Sequence, residues 1–169
     1  MMNNTSLYVV MGVTGSGKST VGATLAHALG VDFVEGDDYH PTENVRRMAS
    51  GIPLTDEDRA DWLMTLAERI RKANKSNRGI VLACSALKRS YRDVLRGAAP
   101  QLQFVFLKGS ESLIANRVAG RRGHFMPASL LESQLAILEE PAADEDVWTC
   151  DVDETAQAIV SSLVLRASS

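Results

Sequence analysis

The sequence predicts an α/β fold built on a parallel sheet. Apolar segments of strand length recur along the chain, and segments of helical periodicity separate them. Strands that alternate with helices pair in parallel, and the helices then cover both faces of the sheet. The chain has 169 residues, 45% apolar and 23% charged, which suits one globular domain. We therefore expect a single domain over residues 1–169.

Five apolar segments are the candidate strands, and functional residues are expected beyond their carboxyl ends. Ligands of open α/β sheets bind at these ends, so the loops that follow the strands carry the chemistry. The segments comprise residues 7–11, 33–34, 80–84, 104–107 and 147–150.

Two predicted helices carry start signals in the sequence. Thr55 with Asp58 three residues later forms a capping box, and Thr155 precedes the last apolar stripe. Both helices have apolar residues at helical spacing, which we assign to the core. These residues are Trp62, Leu63, Leu66 and Ile70 in the first helix and Ile159, Val160, Leu163 and Val164 in the second.

A phosphate-binding loop is the strongest motif. Residues 12–19 follow the pattern Gly-x-x-x-x-Gly-Lys-Ser, directly between the first strand and a helical stretch. Lys18 is expected to neutralise the β- and γ-phosphates of ATP, and Ser19 to ligate Mg²⁺. A glycine-rich turn that binds nothing would leave this Lys-Ser pair without a purpose. The expected nucleotide contacts are Gly12, Thr14, Gly15, Ser16, Gly17, Lys18, Ser19 and Thr20.

The loop alone does not say whether the phosphate goes to water or to a second substrate. A guanine-nucleotide switch needs Asn-Lys-x-Asp, but residues 74–77 lack the acid. A mechanical ATPase usually has an apolar strand that ends in Asp, whereas the third strand runs into Ser85 and Ala86. A small phosphotransferase remains, in which catalysis is mostly positioning and charge neutralisation.

An acidic cluster follows the second strand, where a phosphotransferase needs its acceptor site. Asp37 can accept a proton from an acceptor hydroxyl, and Glu35 can hold metal-bound water. His40 is assigned to the same acceptor site. A solvated acidic turn that caps the helix from Thr42 is the alternative interpretation.

Basic residues follow the third strand. Lys88 and Arg92 are four residues apart, so on a helix they would share one face and bind a carboxylate or phosphate together. Ordinary solvated helix surface explains the same pair.

A second basic segment has the composition of a hinged cap. Arg117, Arg121 and Arg122 surround Gly120 and precede Gly123. Closure of such a segment would exclude water and bring guanidinium groups to the transferred phosphoryl group. A helix end with a glycine cap accounts for Gly123 but not for three arginines.

The charge distribution favours a local anionic ligand. The formal net charge of −3 argues against nucleic acid as a partner. Residues 46–122 nevertheless hold 16 of the 18 Lys and Arg and only 7 of the 21 Asp and Glu. No run of about 18 apolar residues or basic N-terminal region predicts membrane insertion or secretion. Two cysteines are too few for a disulfide framework, so a cytoplasmic location is expected.

Eight segments in order resemble the gluconokinase family. The phosphate-binding loop is shared with many proteins, but the segments Asp-Asp-Tyr-His-Pro, Cys-Ser-Ala-Leu-Lys and Gly-His-Phe are specific to that family. Nearly the whole chain is covered. The segments are residues 12–19, 36–41, 48–59, 62–63, 84–88, 91–93, 123–125 and 138–141.

The resemblance implies a P-loop kinase similar to shikimate and nucleoside monophosphate kinases, with a five-stranded parallel sheet. Its activity would be ATP-dependent phosphorylation of D-gluconate at the 6-hydroxyl. It further implies a homodimer, a mobile lid at about residues 117–128 and lid arginines at positions 117 and 121. The catalytic residues would be Lys18, Asp37 and Arg121, with Glu35 reaching Mg²⁺ through water. The substrate-binding residues would be Asp37, His40, Arg47, Lys88, Arg92 and His124.

Two rival functions stay open from the sequence. Another small-molecule kinase of the same fold, for shikimate or a different sugar acid, would carry the same phosphate-binding loop. A switch that holds ATP without transferring phosphate is the other rival. The acidic cluster and the arginine segment argue against a switch, because passive binding needs neither.

Overall fold

A computed structural model describes residues 5–120 and 129–169. Within these residues five parallel strands form one sheet in the order β2-β3-β1-β4-β5, which confirms the predicted fold class. Each strand begins and ends within two residues of its predicted segment. The strands are β1 (Leu7–Met11), β2 (Asp32–Glu35), β3 (Ile80–Ala83), β4 (Gln103–Lys108) and β5 (Trp148–Asp151).

Helices pack on both faces of this sheet. One face carries α3 and α4, and the other carries α1 and α7. Short 3₁₀ turns at Gly36–Tyr39 and Ala143–Glu145 precede α2 and β5. The helices are α1 (Lys18–Leu29), α2 (Thr42–Ala49), α3 (Asp56–Lys75), α4 (Arg89–Arg96), α5 (Glu111–Ala119), α6 (Ser129–Ile137) and α7 (Ala156–Ala167).

The central strand β1 shows why the sequence forms this core. All five of its residues are buried, as expected for a strand covered on both faces. Because successive side chains point to opposite faces, Val9 and Met11 pack towards α3 while Tyr8 and Val10 pack towards α1 and α7. A continuous apolar run therefore suits this position better than an alternating one.

Both predicted helix starts are confirmed. The Thr55 hydroxyl accepts from the Asp58 N–H at 3.1 Å, and the Asp58 carboxylate accepts from the Thr55 N–H at 2.9 Å. Thr155 caps α7 in the same manner through the N–H of Ala158. The predicted apolar stripes are buried in the core, apart from the partly buried Val164.

Strand order brings the predicted functional segments to one edge of the sheet. The phosphate-binding loop follows the central strand β1, and the acidic cluster follows β2. Only β3 separates them, because Ala83 pairs with Val10 on one side and with Glu35 on the other. The two segments therefore face each other across the end of β3.

Candidate active site

The phosphate-binding loop places the N-terminus of α1 at the site. Gly17 is the residue before α1 and has φ +95°, a conformation that a side chain disfavours. A Cβ at Gly15 would lie 2.5 Å from Val118 Cγ2, so a larger residue would collide with α5. No side chain caps α1, and its N–H groups are directed at the position of a bound anion.

A buried hydroxyl in this loop fits a phosphate ligand. Ser16 is 2% exposed, and its Oγ has no hydrogen-bond partner within the described structure. An unpartnered buried polar atom costs free energy, which a phosphate oxygen would recover by accepting this hydrogen bond. Lys18 Nζ lies beside the loop and donates to the Val13 carbonyl at 3.1 Å.

Ser19 and Glu35, the two residues predicted to reach Mg²⁺, are hydrogen-bonded to each other. The Ser19 hydroxyl donates to the Glu35 carboxylate, which joins the start of α1 to the end of β2. Burial raises the pKa of Glu35, and the hydrogen bond from Ser19 opposes that rise. Hydroxyl and carboxylate oxygens are ligands that Mg²⁺ accepts, together with phosphate and water. Among residues 5–120 and 129–169 no group of three His, Cys, Asp or Glu could hold a metal by itself, so phosphate and water would complete the shell.

One pocket joins the phosphate-binding loop to the acidic cluster. Lys18 and Asp37 both line it, so a phosphate and an acceptor hydroxyl can meet there. Of the predicted acceptor residues described by the structure, Asp37 and His40 line this pocket. Its lining consists of Thr14, Gly15, Gly17, Lys18, Ser19, Asp37, His40, Met48, Leu54, Arg59, Ser85 and Gln134.

Trp62 of α3 fixes the turn that carries Asp37. Its indole N–H donates to the Gly36 carbonyl at 2.7 Å, and its ring stacks on His40 with centroids 4.0 Å apart. Gly36 itself packs against β3, where an added Cβ would lie 2.4 Å from the Ala83 oxygen. Contacts on both sides therefore hold the turn at the pocket.

Five residues that line the pocket were not predicted from the sequence, and Arg59 and Gln134 are two of them. Arg59 is 7% exposed, and its Nη1 donates to the Leu54 carbonyl at 2.8 Å and to the Tyr91 hydroxyl at 3.2 Å. Arg59 lies three residues before Trp62 on the apolar stripe of α3. A cation on a stripe that packs into the core is buried and needs partners, so this position was a signal that the sequence offered. Gln134 accepts from the Thr14 N–H at 2.7 Å across 120 residues, and no local pattern signals that contact.

Lys88 and Arg47 lie outside the pocket lining and are paired with acids. Lys88 Nζ lies 3.0 Å and 3.2 Å from the two carboxylate oxygens of Asp56. Arg47 lies 3.5 Å from Glu43 and 3.7 Å from Asp58, measured between the nearest charged atoms. Their predicted substrate contacts would require exchange of these partners.

Arg92 corrects a prediction, because it supports the protein instead of facing a ligand. It is 0% exposed, and its Nε and Nη2 donate to Glu145 at 2.7 and 3.1 Å. Its Nη1 donates to the carbonyls of Ala86 and Leu87 at 2.9 and 3.2 Å. The Arg92 guanidinium is therefore neither in a substrate site nor on the solvated surface, the two alternatives considered from the sequence. Its role is to fix the loop after β3, where Ala86 has φ +46°.

Arg117 lies on the opposite side of the phosphate-binding loop from Asp37. Its Nη2 donates to the Val152 carbonyl at 2.6 Å. Together with Thr20 it lines a cleft between α1, α5 and the start of α7. The predicted lid residues Arg121, Arg122 and His124 lie outside the described residues.

The fold and the pocket define the protein class. At the carboxyl ends of the parallel strands, the phosphate-binding loop and the turn that carries Asp37 line one pocket. This is the arrangement of a P-loop phosphotransferase, which binds a nucleoside triphosphate beside an acceptor. In sequence, residues 7–141 match the family model described as an AAA domain.

Comparisons with curated proteins define the family. The chain is 49% identical to gluconokinase from Gluconobacter oxydans over 156 residues, which covers 92% of this chain and 88% of that protein. It is 43% identical to thermoresistant gluconokinase from Escherichia coli over 159 residues, covering 94% and 91%. The chain belongs to the gluconokinase family, as its motifs predicted.

Solved structures agree with this assignment. A gluconokinase from Sinorhizobium meliloti superposes with a TM-score of 0.86 at 50% identity, covering 96% of this chain and 91% of that one. A sugar kinase from Janibacter gives a TM-score of 0.91 at 44% identity, covering 95% and 93%. The APS kinase from Mycobacterium tuberculosis, at 16% identity and a TM-score of 0.72, shares the fold alone.

Proposed function

We propose that this protein transfers the γ-phosphoryl group of ATP to the 6-hydroxyl of D-gluconate, giving 6-phospho-D-gluconate and ADP. The observation that carries the proposal is the shared pocket of Lys18 and Asp37 in a chain 49% identical to a gluconokinase. Other kinases of this fold share the phosphate-binding loop. Selectivity for gluconate over shikimate therefore depends on the residues of the acceptor side.

Residues of the phosphate side neutralise and hold the nucleotide. The loop N–H groups and the Ser16 hydroxyl bind phosphate oxygens, and Lys18 offsets the charge that builds up as the bond to the leaving ADP breaks. Ser19 would hold Mg²⁺ directly, and Glu35 would hold it through water. When bound, Mg²⁺ supplies charge neutralisation on the phosphates. Arg117, Arg121 and His124 complete the nucleotide site and its lid.

Residues of the acceptor side orient the sugar acid. Asp37 accepts a hydrogen bond from the 6-hydroxyl and takes its proton as the oxygen attacks the γ-phosphorus. Arg59 is the cation that meets the gluconate carboxylate, since it is buried in the wall of the same pocket. Arg47 and Lys88 lie further out and close the acceptor site by exchanging their acidic partners.

An acceptor panel tests this function. ADP release is measured with gluconate, other aldonates, shikimate and nucleoside monophosphates, each against a control without acceptor. We expect turnover with gluconate to exceed every other acceptor. A rate with gluconate no higher than the control, with another acceptor active, would remove the specificity assignment. ATP binding without ADP release for any acceptor would support the switch that holds ATP without transferring phosphate.

We also propose a homodimer, which the family resemblance implies, and a cytoplasmic location, which the small number of cysteines favours. No helix in the described part of the chain combines the length and apolar composition that a bilayer crossing requires. Sedimentation velocity measures the assembly directly. A mass near twice the 18.3 kDa of the chain is the expected result, and a mass of one chain across the micromolar range would contradict it.

A further inference from the structure

The ring of His40 is held on two sides. Its face stacks on Trp62 with an interplanar angle of 16°, and its Nδ1 lies 3.3 Å from Nδ2 of Asn44. The ring lines the acceptor pocket together with Asp37. Its remaining nitrogen, Nε2, is therefore the one that the pocket can use.

The orientation of the Asn44 amide decides where the ring proton lies. Asn44 is 4% exposed, and its Nδ2 donates to the backbone carbonyl of Asp58 at 2.8 Å. A carbonyl oxygen only accepts, so a reversed amide would bring two acceptor oxygens together. The second N–H of this amide then faces His40 Nδ1, which must accept. The proton of a neutral His40 is consequently on Nε2.

We propose that Asn44 is a positioning residue that holds His40 as the neutral Nε2–H tautomer, which donates a hydrogen bond to a hydroxyl oxygen of the acceptor. The proposal rests on the proposed function. A neutral donor here complements Asp37, which accepts from a hydroxyl in the same pocket. An imidazolium would instead pair with Asp37 and weaken its capacity to take a proton.

The charged groups around His40 favour the neutral ring. Burial lowers the pKa of His40 to about 4; Asp37 opposes this and Arg59 reinforces it. From α3, Asp58 offers its carbonyl to Asn44, while its carboxylate is bound to the Thr55 N–H. His40 should therefore stay uncharged over the pH range 5.5 to 8.

The direct test is the ¹⁵N NMR spectrum of the histidine rings in the full-length protein. Long-range ¹H–¹⁵N correlations distinguish the two neutral tautomers and the imidazolium, and a His40→Gln variant assigns the signals. We expect an Nε2-protonated, neutral His40 from pH 5.5 to 8. An Nδ1-protonated ring, or an imidazolium at pH 6.5, would overturn the proposal. This measurement needs no substrate, so its outcome is independent of whether gluconate is the acceptor.

Variants of Asn44 connect the tautomer to activity. Asn44→Asp replaces the N–H donor by an acceptor, which draws a proton to Nδ1 and raises the pKa of His40. We expect kcat/KM for gluconate to fall about tenfold with the KM for ATP unchanged, and the loss to persist as pH rises because the neutral ring then carries its proton on Nδ1. Asn44→Ser keeps a donor and should retain more activity. Wild-type kcat/KM in Asn44→Asp would contradict the proposal. If Asn44→Asp does not fold, Asn44→Ser is measured instead, and an Nδ1-protonated His40 with unchanged kcat/KM in that variant would contradict the proposal.

Discussion

Lys18 is the cation of the phosphate-binding loop, and it lines the same pocket as Asp37. Lys18→Ala removes that charge from the developing transition state, so we expect kcat to fall by at least about 10²-fold. Steady-state ADP release with gluconate measures the change. Lys72→Ala, on the exposed surface of α3, is the matched control and should leave kcat unchanged. An unaffected rate in Lys18→Ala would contradict the assigned role of the loop.

Asp37 is the carboxylate that faces this lysine across the pocket. Asp37→Asn keeps the shape of the side chain but removes its capacity to take a proton. We expect a fall in kcat of about 10²-fold or more with the affinity for ATP retained. Single-turnover rates and ATP titration separate the two quantities. Loss of ATP binding would instead assign Asp37 to the nucleotide side.

Individual residues were predictable where their role is encoded locally. Lys18 belongs to a continuous motif next to a strand, and Asp37 follows the end of another strand, so both were placed from sequence. Arg92 was misassigned because its partner Glu145 lies 53 residues away. Arg59 was missed because an arginine on an apolar stripe gives no sign of its partners until Tyr91 and Leu54 are folded against it.

Helix α3 acts on the site through one side chain, Trp62. Trp62→Phe keeps an aromatic ring under His40 but removes the donor to Gly36, leaving that buried carbonyl unpaired. We expect the free energy of unfolding to fall by about 1–3 kcal/mol and kcat to fall while the KM for ATP is kept. Urea denaturation and steady-state kinetics measure both.

Trp148→Phe is the control, because Trp148 is on the edge strand β5 and its ring lies tilted against that of Tyr8, with centroids 6.0 Å apart. It should lose stability without a selective loss of kcat. Equal kinetic effects of the two substitutions would contradict the role of α3 in holding the turn.

Elements were predicted well because their signals are periodic and short-range. The apolar runs gave all five strands, and the capping residues gave the first turns of α3 and α7. The order of the strands was not predictable from periodicity, since β1 pairs with β3 and β4 instead of its neighbour in sequence. That order results from long-range packing, and it decides which loops meet.

A buried ion cluster joins α4 to the turn before β5. Glu145, with a side chain 1% exposed, accepts from Arg92 and Arg96, each at 2.7 Å. Burial of this carboxyl raises its pKa, but hydrogen bonds from Arg92, the Ala142 N–H and Arg96 outweigh that effect and lower it to about 2. Because Arg92 also binds the carbonyls of Ala86 and Leu87, the cluster joins the turn before β5 to the loop after β3, which borders the pocket.

Breaking this cluster should destabilise the whole molecule. Glu145→Gln leaves two guanidinium groups without their carboxylate, so we expect the free energy of unfolding at pH 7 to fall by about 3–5 kcal/mol. Because the folded pKa is depressed, this stabilisation is present above pH 4.5 and is lost as pH falls towards about 2. Urea unfolding at pH 7, 5 and 4 measures it. The exposed Asp61→Asn is the control, and a Glu145→Gln deficit that did not shrink with acid would contradict the ionic origin.

The position of β3 between β1 and β2 sets the spacing between the phosphate-binding loop and the acidic cluster, the space that a phosphate and an acceptor must share. Neighbouring strands lie about 4.8 Å apart, so the ends of β1 and β2 are separated by about 10 Å. Two adjacent strands would leave half that space, too little for a phosphate and a sugar hydroxyl in line. Backbone pairing fixes this gap, and no exchange of side chains can alter it. Substitutions in α2 and α3 can therefore change the acceptor side of this pocket while the spacing of the two strand ends stays constant.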